Sequence, residues 1–160
     1  MDNEVVPKGP RDTPTWIETW MGVARLIAQR SKDRSKQVGC VIVTEDLEQE
    51  ISKGWNGFIR GADDEDVYLH ERPQKYRWSE HAERNAIYNA ARLGRSTLNS
   101  VAFMNWFPCI DCARALHQAG VKKIYWSDDY DMNDARWYHS FQTSKRILTE
   151  CGVELKYVDK

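Results

Sequence analysis

The sequence has no apolar run long enough to span a bilayer, which in a helix takes about 20 consecutive residues, so a membrane-spanning role is set aside. A charge excess is missing too. The 23 Lys and Arg residues nearly balance 24 Asp and Glu, leaving a formal net charge of -1. With no basic field to hold a polyanion through counterion release, a small substrate is favoured over a nucleic acid. Cysteines number only four, and their places do not suit a secreted disulfide framework. Cys109 and Cys112 form a CxxC, Cys40 lies in an apolar run and Cys151 precedes a glycine. The expectation is a reducing, cytoplasmic setting with two metal thiolates and two packing cysteines. The segment from Met1 to Pro14 carries charges where a signal peptide has its apolar stretch, in keeping with that setting. There is no internal repeat or low-complexity tract, and 160 residues suit one domain, since domains most often hold about 100–150.

What is present reads as alternating helices and strands. Residues 1–12 are polar and contain proline, which predicts a flexible N-terminal arm ahead of a single domain over 13–160. Thr13-Pro14 offers an N-cap and a proline at the first helical position; Ile17, Trp20, Met21, Ala24, Ile27 and Ala28 then recur with helical spacing to about Arg30. Val38–Thr44 and Glu50–Trp55 are β-rich runs joined by an acidic turn, a hairpin pattern. After Asn56-Gly57 a long polar stretch runs through Glu80, and a connection of that length is usually functional or disordered. His81–Leu93 predicts a helix stopped by Gly94, Ser100–Asn105 a strand, and Pro108 to about Ala119 a helix closed by Gly120. Lys122–Ser127 then reads as a strand, Ala135–Glu150 as a helix and Gly152–Val158 as a strand. Helices between successive strands imply right-handed crossovers, so the last three strands are expected to run parallel within an α/β fold.

Two short motifs carry the chemistry: His81-Ala82-Glu83 and Pro108-Cys109-Ile110-Asp111-Cys112. Together they supply three zinc ligands, one free carboxylate and no fourth ligand. A closed structural site takes four protein ligands, whereas three leave a position for water, as in catalytic sites. Cys109 and Cys112, three apart at a helix start, share a face. Residues two apart do not, so His81 and Glu83 reach one site only if His81 sits at the non-helical beginning of its helix. Two helix N-termini aimed at one ion would favour thiolates there. Glu83 is then the proton shuttle. A CxxC alone is shared with redox sites and zinc ribbons, but a thioredoxin-like role leaves His81 and Glu83 unexplained.

Beyond these motifs, the chain resembles the deoxycytidylate (dCMP) deaminase family within the cytidine deaminase superfamily. The resemblance rests on Arg30-Ser31-Lys32-Asp33 leading to Gln37-Val38-Gly39, and on Gly54-Trp55-Asn56-Gly57. Further matches are Lys75-Tyr76, Asn85-Ala86-Ile87, Phe107-Pro108-Cys109 with Cys112-Ala113, Gln118-Ala119-Gly120-Val121-Lys122, and Ser127-Asp128. It implies a three-layer α/β/α fold on a mixed five-stranded sheet. It also implies hydrolysis of dCMP to dUMP and ammonia, supplying dUMP for thymidylate synthesis, with His81, Cys109 and Cys112 on zinc and Glu83 as acid/base. Asn56 matches the family asparagine that contacts the sugar; its other reading is the turn residue of Asn-Gly. Ala82, Trp106 and Phe107 are assigned to the substrate site, the two rings as stacking walls or as core. Monophosphate recognition needs cations, and Arg30, Lys32, Arg60, Arg72, Lys75 and Arg77 are the candidates, each of them otherwise a solvated charge. The resemblance also implies a homo-oligomer, hexameric in many members, that responds to dCTP and dTTP, in some cases with magnesium. The acidic run Asp63-Asp64-Glu65-Asp66 reads more simply as solvated. Some members carry a second zinc on extra Cys and His residues; the stretch after Gly57 offers His70 and no cysteine, so one zinc per chain is expected.

Two other readings compete. A tRNA adenosine deaminase-like enzyme would use the same chemistry but should show a basic surface. A catalytically silent zinc-binding scaffold would account for seven tryptophans through an oligomer interface, although the presence of Glu83 favours an enzyme. Deaminases acting on the free nucleoside usually place a cysteine where His81 stands, and riboflavin-pathway deaminases space their cysteines further apart.

Overall fold

A computed structural model describes residues 10–131 and 133–160. Most of the expected N-terminal arm therefore lies outside the described residues, and residues 10–12 are exposed without regular structure. The first helix, α1 (Trp16–Ala28), starts two residues later than the Thr13-Pro14 signal predicts. Thr15 is the N-cap because it has Glu18 three residues on: the Glu18 N–H donates to Thr15 Oγ1 at 3.2 Å and the Thr15 N–H to Glu18 Oε2 at 2.7 Å. That reciprocal capping box satisfies two orphan donors, and Pro14 falls outside the helix where its missing N–H is harmless.

The strands β1 (Gly39–Val43), β2 (Glu50–Trp55), β5 (Ser100–Met104), β6 (Val121–Trp126) and β7 (Glu154–Tyr157) make one sheet in the order β2-β1-β5-β6-β7. β1 pairs antiparallel with β2 and β5, while β5-β6 and β6-β7 are parallel, as the helical crossovers α4 (Ile110–Gln118) and α5 (Tyr138–Glu150) require. α5 begins at Tyr138 rather than Ala135, leaving Arg136 and Trp137 in the preceding loop.

One face of the sheet is covered by α1, whose Trp20, Met21 and Ala24 pack on Val41, Val43, Val101 and Phe103. The other face carries α3 (Ala82–Arg92), α4 and α5 through Ala82, Ala86, Leu116, Phe141 and Leu148. β1 is thus buried on both faces, which is why its sequence is continuously apolar rather than alternating. Two glycines permit the closest helix approaches. A Cβ at Gly39 would stand 2.1 Å from the Ala24 carbonyl oxygen of α1, and one at Gly54 would stand 2.4 Å from the Ala86 nitrogen of α3. Asn85, Asn89 and Arg95 donate side-chain hydrogen bonds of 2.7–2.8 Å to the carbonyls of Trp55, Lys53 and Ile51, fixing α3 along the β2 edge.

The long polar stretch after Gly57 is folded. Short strands β3 (Gly57–Phe58) and β4 (Ser79–Glu80) pair antiparallel and zip its two ends together, with a five-residue helix, α2 (Gln74–Trp78), inside the excursion. Its acids serve local structure: Asp64 and Glu65 pair with Lys32, and Asp66 accepts the Tyr68 N–H. The β3-β4 pair delivers the chain directly to His81. Among the described residues no helix is long and apolar enough to cross a membrane.

Candidate metal and substrate site

Two helix N-termini converge at the end of the sheet. His81 is the N-cap of α3 (φ -80, ψ 154) and Cys109 the N-cap of α4 (φ -69, ψ 173), both extended. N-caps usually use a side-chain oxygen to bond the first turn, yet neither residue makes a capping bond. Their side chains turn toward each other instead. His81 Nδ1 lies 3.5 Å from Cys109 Sγ and 3.4 Å from Cys112 Sγ, and the three donor atoms fall within 4.8 Å of one another.

These separations fit a zinc ion. Tetrahedral bonds of about 2.3 Å to sulfur and about 2.0–2.1 Å to nitrogen set N···S at about 3.5 Å. The donor set, one imidazole and two thiols with no fourth protein ligand among the described residues, leaves a coordination position to a small molecule. Among the described residues this is the one cluster of three or more such donors. Because His81 is extended rather than helical, Glu83 two residues on reaches the same cavity, which meets the geometric demand read from the sequence.

Glu83 is only 4% exposed, and burial pushes its carboxyl pKa up, with the His81 charge opposing. A hydrogen bond from Cys112 holds the Cys109 thiol down at about 4 against its burial, with His81 assisting, and Cys112 is raised correspondingly. Glu80 secures the start of α3: its Oε1 accepts the His81 N–H at 3.0 Å and the Arg84 Nε–H at 2.6 Å. Arg84 also lies 3.8 Å from Asp111 on the first turn of α4, so the two ligand-bearing helices are tied across the site.

His81, Ala82, Glu83 and Cys109 line the buried end of a cavity whose walls include Val38, Asn56, Trp106 and Phe107. Asn56 is anchored by backbone: its Oδ1 accepts the Val38 N–H at 2.8 Å and its Nδ2 donates to the Lys36 carbonyl at 2.9 Å. One amide hydrogen and one lone pair remain for a ligand. Asn105 and Tyr130 complete the work on this segment. Asn105 binds Gly39 N–H and the Gln37 carbonyl, while the Tyr130 hydroxyl accepts from the Gln37 N–H and donates to its carbonyl. Trp106 is both wall and core, packing edge-on against Tyr130, Trp137 and Phe141 at 5.1–5.6 Å between ring centroids. Phe107, 3% exposed, stands edge-on to Trp126 at 5.0 Å.

The candidate cations divide. Arg72 lines this cavity, Lys75 lines both it and a neighbouring one, Arg30, Lys32 and Arg60 line only the neighbouring one, and Arg77 lines neither. Arg30 lies over the Trp55 ring at 5.9 Å, and Lys32 is bound to Asp64 and Glu65. Lys36, Arg136 and Trp137 belong to the cavity but were not foreseen. All three lie in loops, where periodicity gives no signal, and the helix predicted from Ala135 had absorbed the last two. Of the two cysteines expected to pack, Cys40 is fully buried; Cys151 is exposed at the C-terminal cap of α5.

Comparison with known proteins agrees with this geometry. The family model for the cytidine and deoxycytidylate deaminase zinc-binding region matches residues 14–128. An uncharacterized deaminase of Aliivibrio fischeri is 32% identical over 143 residues, covering 89% of this chain and 93% of its own. The deoxycytidylate deaminase of Pongo abelii is 36% identical over 166 residues, covering 99% and 88%. Among solved structures, dCMP deaminase of cyanophage S-TIM5 in complex with dCMP and dUMP superposes with a TM-score of 0.72 at 28% identity, covering 92% of this chain and all of that one.

Proposed function

The chain belongs to the cytidine and deoxycytidylate deaminase family, and from that premise we propose that it hydrolyses the amino group of a cytosine nucleotide, converting dCMP and water to dUMP and ammonia. The observation that carries the reading is the buried, unligated Glu83 carboxylate in one cavity with the His81 and Cys109 donors. The relatives named deoxycytidylate deaminase and the structural neighbour holding dCMP and dUMP support the choice of substrate.

His81, Cys109 and Cys112 would hold one zinc per chain. When bound, the ion supplies Lewis acidity that makes hydroxide available from water near neutral pH. Glu83 takes a proton from the attacking water and delivers it to the ring nitrogen beside the amino-bearing carbon; it then takes the second proton, from the hydroxyl now on that carbon, and passes it to the amino group, which leaves as ammonia as the carbonyl forms. Its upward-shifted pKa suits a group that must both gain and lose a proton. Ala82 opens α3 and lines the cavity, so its backbone N–H, one of the helix's unpaired donors, would serve as a hydrogen-bond donor for the base. Trp106, Phe107 and Trp137 exclude water from the reacting ring, and Asn56 offers its remaining amide valences to the sugar.

Four free cysteines suit a reducing compartment such as the cytoplasm. A homo-oligomer regulated by dCTP and dTTP, with magnesium accompanying the effector, belongs to the same reading. The test is ammonia release by zinc-loaded protein from dCMP, CMP, deoxycytidine, dCTP and tRNA. The reading expects dCMP to have the highest kcat/KM, and preference for tRNA or inertness toward the whole panel would overturn it.

A further inference from the structure

The exposed end of the cavity carries four cations, and their partners divide them into two kinds. Lys75 Nζ lies 2.8 Å from Asp33 Oδ2, both side chains only 13–14% exposed, so its charge is already matched. Asp134 serves two cations at once, Lys36 at 3.6 Å and Arg136 at 3.0 Å. Lys36 is also held over the face of Trp106, with its ammonium 3.8 Å from the ring centroid. Arg72 has no carboxylate partner among the described residues; its Nε donates to the Tyr76 hydroxyl at 2.7 Å, leaving its terminal nitrogens free. Asp33 thus cancels Lys75, Asp134 cancels one of its two cations, and Arg72 is uncancelled, which leaves two positive charges at the mouth.

A phosphate monoester carries about -1.5 to -2 at neutral pH and presents three acceptor oxygens. Arg72 and Arg136 are the exposed members of the set, approaching from the excursion between β3 and β4 and from the loop before α5. Arg136 spends its Nε and one terminal nitrogen on Asp134, and its other terminal nitrogen is unspent. We propose that Arg72 and Arg136 form a two-sided clamp for the monophosphate of the substrate and so determine nucleotide over nucleoside. Lys75, locked by Asp33, is a positioning residue that holds α2, and with it Arg72, against the cavity. The inference deepens the deaminase reading and rests on it for the identity of the reacting base, while the anion site itself stands on the charge arrangement.

Two measurements on zinc-loaded wild type, Arg72→Gln, Arg136→Gln and the double variant test it. In kinetics, each single change should lower the ratio of kcat/KM for dCMP to that for deoxycytidine by about 10–100-fold, as loss of a charge-assisted hydrogen bond does, mainly through KM for dCMP. Arg→Lys at either position should restore part of it. In calorimetric titration, inorganic phosphate should bind wild type and fail to bind the double variant. Equal losses for dCMP and deoxycytidine, or a dCMP KM within twofold of wild type in both single variants, would overturn the clamp. Phosphate binding that depends on both arginines, in a protein that releases no ammonia from any cytosine nucleotide, would support the clamp and refute the deaminase reading.

Discussion

Asp33 and Lys75 face each other at 2.8 Å across the seam between the loop after α1 and helix α2, each about six-sevenths buried. Asp33 also accepts the backbone N–H groups of Ser35 at 2.7 Å and Lys36 at 3.1 Å. One carboxylate thereby shapes the loop that supplies Lys36 and anchors the helix that follows Arg72. Lys75→Ala leaves this acid poorly solvated and uncompensated. Unfolding in urea should show a loss of about 1–3 kcal/mol, below the 3–5 typical of fully buried pairs because some solvent contact remains.

The same carboxyl gives a pH dependence with a definite sign. Burial raises the Asp33 pKa, but the hydrogen bonds from Lys75, Lys36 and Ser35 outweigh it and the net shift is downward. A group depressed on folding stabilises at pH above its unfolded value, about 3.9 for Asp, and that contribution is lost as pH falls through the lowered folded value. Asp33→Asn should flatten the acid limb of the stability profile below about pH 4. An unaltered limb in parallel urea titrations of the two proteins would show that other carboxylates dominate there.

Close helix approach makes a packing prediction. Gly54→Ala places a Cβ 2.4 Å from the Ala86 nitrogen and 2.5 Å from the Ala82 carbonyl oxygen, both backbone atoms that cannot rotate away. The variant should lose at least about 1–3 kcal/mol, as overpacking does, and displace the start of α3. Zinc content measured by plasma spectrometry on the folded fraction should fall with it, since His81 and Glu83 ride on that helix.

The ligand set predicts a pH-linked metal affinity. Both thiols must lose their protons to bind zinc, and Cys112 holds its proton well above neutrality. Competition against a chelator should therefore show weaker zinc binding at pH 6 than at pH 8. Cys109→Ser or His81→Ala should reduce bound zinc from one per chain to a small fraction.

The sequence announced most of this arrangement because its strongest signals are local. The apolar run at Val38–Thr44 and the glycine stops after α3 and α4 gave the strands and helices to within a few residues. The demand that His81 be non-helical followed from two-residue spacing alone, and ψ of 154 meets it. Long-range pairings left no such mark. Nothing local in Tyr130 announces that its hydroxyl closes on Gln37, 93 positions away, or that Asp33 meets Lys75. The excursion between β3 and β4 looked structureless because its elements are two to five residues long, too short for a period to register. Arg30 and Lys32 match the family pattern, yet they face the neighbouring cavity because their loop is pinned to Asp64 and Glu65.

On the proposed function, a buried carboxylate beside a three-donor zinc site moves the protons of a deamination. The most direct test of that role is the rate of dUMP formation from dCMP by wild type and by Glu83→Gln, each carrying one zinc per chain. The variant should keep its zinc and lose about 10²–10⁴-fold in kcat, the range expected for removing a general acid/base. Equal rates at equal zinc content would contradict it.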